Sequence, residues 1–145
     1  MDWKQPAVQR LKNYETRRLA MSTIPAQLET LEMQFTSIRG ARTDGDPVSG
    51  GTNRREELLL ANIQKRSELK ANYKIAMREV EITEKGLDAL TKEERRILEL
   101  FYIVRPTDHI SRLCDEFAIE KSEVYRRKDD ALKKFTIAMY GVVEI

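Results

Sequence analysis

The sequence predicts an all-α fold: a long, coiled-coil-like N-terminal helical hairpin, then a compact unit of short helices that closes with a helix-turn-helix. Three observations predict it. Apolar residues recur at spacings of three and four along most of the 145 residues. The chain is rich in charged residues (34%) and poor in aromatic ones (7%), a balance that favours helices over a sheet. Four of the six glycines fall between positions 40 and 51, so the strongest turn signals gather in one place.

From the N-terminus, Trp3, Ala7, Leu11, Tyr14 and Met21 follow helical spacing. Ser22 and Thr23 offer cap oxygens, and Pro25 suits the first turn of a helix, where its missing N–H costs nothing. Leu28, Leu31, Phe35 and Ile38 continue the pattern, so residues 1–39 predict two helices or one kinked helix. Asp-Gly, Asp-Pro and Gly-Gly pairs between Gly40 and Thr52 predict a mobile loop, bounded as 40–53. The loop lacks the Gly-Lys-Ser/Thr ending and the preceding strand of a phosphate-binding loop. Asn53 with Glu56 fits a capping box, and residues 54–89 then read as one long helix of ~50 Å. Its seam runs through positions 59, 62, 66, 69, 73, 76, 80, 83, 87 and 90, interrupted by Asn62, Arg66 and Thr83. Such polar interruptions weaken a coiled coil while restricting register and partner number. The helices on either side of the loop are expected to pair antiparallel, and a homodimer through the same arm stays open.

Residues 90–145 predict the compact unit. Thr91 with Glu94 makes a capping box. Leu90, Ile97, Leu98 and Phe101 form the inner face of the helix that follows, and Arg105-Pro106 ends it. Thr107 or Asp108 caps a short helix with Ile110, Leu113 and Phe117 inward. Ala118-Ile119-Glu120 is the turn. The last helix buries Val124, Ala131, Leu132 and Phe135, exposes Lys121, Ser122, Tyr125, Arg126, Lys128, Lys133 and Lys134, and stops at Gly141.

The order Leu90, Thr91, Arg95, Leu98, Ile110, Leu113, Ile119, Val124, Arg126, Ala131, Leu132, Lys133, Phe135 resembles region four of bacterial sigma factors. Ala118 stands where that pattern has a turn glycine, Glu120 where it has a better cap, and Arg127 where it has an apolar residue. The wider layout is similar to phage late-gene transcriptional regulators of the ArpU and RinA type. The resemblance implies a sequence-specific DNA-binding regulator that activates packaging or lysis genes, with double-stranded DNA as partner and RNA polymerase as a further one. Two alternatives stand beside it: a small terminase-like DNA-packaging component, and a polymerase-binding adaptor without direct DNA contact.

In a helix-turn-helix the head of the second helix reaches base edges in the major groove. Lys121, Ser122, Tyr125 and Arg126 occupy that outward head and are the expected base readers. Arg126 can bridge the two acceptors of guanine, and Tyr125 can touch a thymine methyl or donate to a phosphate. Arg112, Arg127 and Lys128 are the expected phosphate contacts, which fix position without reading sequence. The plainer reading of the same cations is the solvated face of an amphipathic helix.

Other chemistry finds little footing. The 26 basic and 24 acidic residues leave a net charge of +2, so nucleic-acid binding rests on how charge is distributed. His109, the lone histidine, has no Cys or carboxylate at ligand spacing, and Cys114 reads as a small core residue. No cofactor motif, paired-carboxylate site or general base argues for an enzyme, and neither cofactor nor metal is expected. Without a secretory signal or a ~20-residue apolar run, the expected location is the cytoplasm of a bacterial host cell, with no membrane partner.

Overall fold

The computed structural model describes residues 3–40 and 49–141, and of residues 49–52 the backbone alone. Among the described residues there are five α-helices, one π-helical turn and no strand. They are α1 (Lys4–Gly40), α2 (Ser49–Asp88), α3 (Lys92–Leu98), the π-helical turn Glu99–Ile103, α4 (His109–Phe117) and α5 (Lys121–Tyr140). The chain is all-α, and α1 packs with α2. Two compact units divide it: residues 19–77, and the stretches on either side of them.

In the unit spanning 19–77, the later part of α1 pairs with the earlier part of α2. α1 runs unbroken through Pro25, so the expected start of a new helix there is not found. Ser22 and Thr23 do not cap; their hydroxyls donate back to the Leu19 and Ala20 carbonyls at 2.8 and 3.5 Å. A proline within a helix removes one backbone donor and crowds the carbonyl four residues earlier. Its cost is offset here by an apolar seam that continues across it: Ile24 is buried, and Met21, Leu28, Leu31, Phe35 and Ile38 are half-buried.

The turn-rich stretch is narrower than its composition suggests. Gly40 closes α1 and Ser49 opens α2, so Gly50 and Gly51 are helical. The rest of the expected loop, residues 41–48, lies outside the described residues. Asn53 falls inside α2 and therefore caps nothing. The end of α1 is satisfied instead by Arg55, whose guanidinium donates to the Ile38 carbonyl at 3.1 Å and to that of Arg39. Helix C-termini leave carbonyls without intrahelical partners, and a basic side chain is well suited to them.

The α2 seam follows the expected positions. Residues 59, 62, 66, 69, 73, 76, 80, 83 and 87 of α2, and Leu90 just beyond its end, are all buried or half-buried. Its polar members are hydrogen-bonded. Asn62 Nδ2 donates to the Leu31 carbonyl at 2.9 Å and its Oδ1 accepts from Arg66 Nε at 2.9 Å. The Arg66 guanidinium lies over the Phe35 ring, 4.8 Å from its centre. Thr83 returns its hydroxyl to the Glu79 carbonyl at 2.8 Å. A buried polar group costs stability chiefly when it lacks a partner, so these residues fix register at modest cost.

In the other unit the start of α1 contributes Ala7, Leu11 and Tyr14, the end of α2 contributes Val80 and Leu87, and α5 contributes Ala131, Leu132 and Phe135; all are buried. Gly86 faces α5 so closely that a Cβ there would lie 2.7 Å from Phe135 Cε1. Thr91 caps α3 in the expected reciprocal box with Glu94. Burial opposes ionisation of Glu94, but hydrogen bonds from the Thr91 backbone and hydroxyl and from Lys134 (3.0 Å) hold its pKa below the ordinary carboxylate value. One carboxylate thus ties the start of α3 to α5.

The helix that begins at Lys92 does not stay α-helical up to Pro106. It widens into the π-helical turn and ends at Val104, whose N–H donates to the Glu99 carbonyl. The wider turn brings Leu100 as well as Phe101 into the core, beside Ile97, Leu113 and Val124. Ile110, Phe117, Ile119 and Cys114 pack against this cluster from α4 and the turn.

Ala118 is the one non-glycine residue with positive φ among the described residues (φ 53°, ψ 48°). Its N–H donates to the Cys114 carbonyl, so it performs the turn that glycine performs elsewhere. A left-handed L-residue is strained by about 1–2 kcal/mol, while glycine adds about 0.4–1 kcal/mol of unfolded-state entropy. Ala118→Gly is therefore expected to stabilise the fold by up to about 1 kcal/mol. A rise in the urea midpoint at unchanged slope measures it; a fall would contradict the left-handed turn.

Candidate nucleic-acid interface

The surface at the head of α5 is built by the packing of α4 against it. Leu113 and Val124 are both 0% exposed. Burying Val124 turns Ser122, Tyr125 and Arg126 outward, because neighbours in a helix are 100° apart. Lys121, Ser122, Tyr125 and Arg126, the four expected base readers, are all exposed, and the helix brings them together within its first two turns. Glu120 holds the N-cap position with extended backbone but makes no side-chain cap.

Tyr125 is anchored as well as exposed. Its ring meets Phe101 edge-on at 5.9 Å, and Phe101 in turn meets His109 edge-on at 4.9 Å. His109 Nδ1 lies 3.2 Å from the Pro106 carbonyl. Phe101 reaches these rings from the π-helical turn, so that turn supports the α5 surface from beneath.

The expected phosphate contacts are placed differently from one another. Arg112 on α4 is exposed, and its Nε donates to Asp108 at 3.1 Å. Asp108 stands at the N-cap of α4 but makes no cap bond; its carboxylate is engaged by Arg112. Arg127 is half-buried, with Nε donating to Glu123 at 3.1 Å. Lys128 departs from the expected outward position. Its side chain is only 17% exposed, with the ammonium 2.9 Å from Asp129 and over the rings of Phe101 and Tyr125 at 5.6 and 5.8 Å. The reason is spacing: Lys128 is four residues after the buried Val124 and shares its face. Burial works against its charge, yet Asp129 and the Tyr102 hydroxyl raise its pKa above the usual lysine value.

The carboxylates Glu123, Asp129 and Asp130, none of them among the expected site residues, belong to this surface. Arg126 donates through Nε (2.9 Å) and Nη2 to the two oxygens of Glu123, and through Nη1 to Asp130 at 3.1 Å. Glu123 therefore holds Arg126 and Arg127 together, and hydrogen bonds from these two lower its pKa to about 2. The signal was present as spacing: acidic and basic residues three and four apart on a helix are neighbours. Pairing of this kind can orient a guanidinium for a groove, and it also reduces the field that attracts phosphate.

Among the described residues, no group of three or more His, Cys, Asp or Glu side chains could hold a metal ion, and no helix is long and apolar enough to cross a membrane. No family model, curated protein or solved structure matches the chain.

Proposed function

We propose that the chain is a sequence-specific DNA-binding transcriptional regulator that acts in the cytoplasm of a bacterial host and activates phage late genes. The observation that carries DNA binding is the α4–turn–α5 geometry: a left-handed turn at Ala118, a shared core at Leu113 and Val124, and Lys121, Ser122, Tyr125 and Arg126 outward at the head of the second helix. That is the arrangement by which a helix-turn-helix presents side chains to base edges. The late-gene role rests on the sigma-region-four and phage-regulator resemblance of the sequence alone.

The test is titration of purified protein against duplex fragments of its own genome at two salt concentrations. One fragment is expected to stay bound as salt rises, because phosphate attraction alone collapses. Arg126→Ala is expected to weaken that complex about 10- to 100-fold, the equivalent of one bidentate base contact, without loss of helical circular dichroism. Equal affinity of the wild-type protein for every fragment would contradict sequence reading.

A polymerase-binding adaptor is the second reading, favoured by the carboxylates that pair with Arg112, Arg126, Arg127 and Lys128. Absence of DNA binding even at low salt, with capture of RNA polymerase, would select it.

A further inference from the structure

We infer that Glu123 is a specificity-determining residue of the α5 surface: it holds Arg126 and Arg127 in paired form, so phosphate alone engages them weakly while a base edge can still meet an oriented Arg126. The inference rests on the DNA-binding reading above and concerns how that surface discriminates.

The head of α5 from Lys121 to Asp130 holds four cations, Lys121, Arg126, Arg127 and Lys128. Against them stand three carboxylates, Glu123, Asp129 and Asp130, which leaves a charge of +1. Non-specific affinity for DNA comes from neutralising phosphates and releasing their counterions, so it scales with the cations free to do so. On this surface few are. Lys128 is turned onto Asp129 and two aromatic rings. Arg126 and Arg127 both bond to the same Glu123 carboxylate.

Glu123 sits where it can do this for both. It lies three residues before Arg126 and four before Arg127, the two spacings at which helical side chains meet. It is the third residue of α5, where a glutamate ordinarily reaches back to the N-cap amide in a capping box. α5 has no side-chain cap, and the Glu123 carboxylate is directed to the two arginines. Its hydrogen bonds keep it ionised throughout the physiological range. The restraint on the arginines therefore does not change across that range. Asp130 adds a second hold on Arg126 alone, at 3.1 Å.

In a complex, the two-oxygen grip of Glu123 fixes the plane of the Arg126 guanidinium, with less side-chain entropy left to lose on binding. Without Glu123 the same arginine would keep only its single bond to Asp130, sweep a wider volume and engage phosphate more readily. Glu123 thus sacrifices general affinity and retains discrimination, as a repulsive element does in other specific interfaces.

The experiment compares the wild-type protein, Glu123→Gln and Asp130→Asn on a genomic fragment library and on random duplex across a salt series. Thermal melting confirms that each variant folds. Glu123→Gln is expected to bind random duplex about tenfold more tightly at low salt, with the log–log salt slope steeper by about 1–2. Preference for the best fragment should fall by a similar factor. Asp130→Asn, which leaves Arg127 paired, should move both quantities in the same direction by less. A general loss of α5 stability would weaken binding rather than strengthen it, so the slope separates the two roles. Specific binding by the wild-type protein with an unchanged slope in both variants overturns the role of Glu123 and leaves the DNA-binding reading intact. Tighter, steeper binding by Glu123→Gln with no preferred fragment for any variant supports pairing but removes sequence reading. No DNA binding by any of the three overturns both.

Discussion

Phe135→Ala is expected to destabilise the protein by about 3–5 kcal/mol, the range for truncating a buried aromatic side chain. Phe135 is 0% exposed and stands among the fully buried residues Ala131 and Leu132 of its own helix, with Gly86 of α2 against its ring. The loss has two sources: the ring's transfer from water, and a cavity that a closely packed glycine-to-ring contact cannot refill. Urea unfolding followed by circular dichroism measures it. A loss below about 1 kcal/mol, the level of a typical point mutation, would mean that α5 is not held by this ring.

Gly86→Ala should also destabilise, by about 1–3 kcal/mol, although alanine in place of glycine within a helix ordinarily stabilises by about 0.5–1 kcal/mol. The sign is set by space. The added methyl would lie 2.7 and 2.8 Å from two atoms of the Phe135 ring and 2.8 Å from Met139 Cγ. Methionine is flexible and can yield; a ring with no exposed surface has nowhere to go. The two substitutions should therefore couple. In a Phe135→Ala background, Gly86→Ala has room for its methyl and should become neutral or stabilising. The cycle should then return an interaction energy of about 1 kcal/mol or more. Simple additivity would show that the close approach of α2 and α5 is not what Gly86 provides.

Much of the fold was legible in the residues, and the exceptions have physical causes. The α2 seam was readable across its whole length because period is a property of the sequence, and a polar residue within it does not change the spacing. Thr91 with Glu94 was readable because both halves of a capping box lie three residues apart. Asn53 with Glu56 has the same spacing and is no cap, since a local motif does not reveal that Gly50 and Gly51 are already helical. At Pro25 the residues left two helices or one kinked helix open, and a single helix forms because burial of Ile24 and its seam overrides local propensity.

At the candidate interface, the outward set of Lys121, Ser122, Tyr125 and Arg126 followed from Val124 being buried. Lys128 did not, because a charged residue was assigned to solvent by type when its spacing from Val124 put it on the inner face. Glu123 is legible only as spacing, three residues before Arg126 and four before Arg127, which composition and the sign of charge do not reveal. The widening at Glu99–Ile103 had no readable signal, since no residue type marks a π-turn.

That widened turn has a consequence for chain length. A π-turn holds one residue more than an α-turn, and shortening the chain by one residue between Glu99 and Ile103 would let an ordinary helix close. Each residue advances a helix by about 100°, so removal of Leu100 would rotate Phe101 by that angle relative to Ile97 and withdraw its ring from His109 and Tyr125. The extra residue lies at the end of the helix, where it is taken up without disturbing α3.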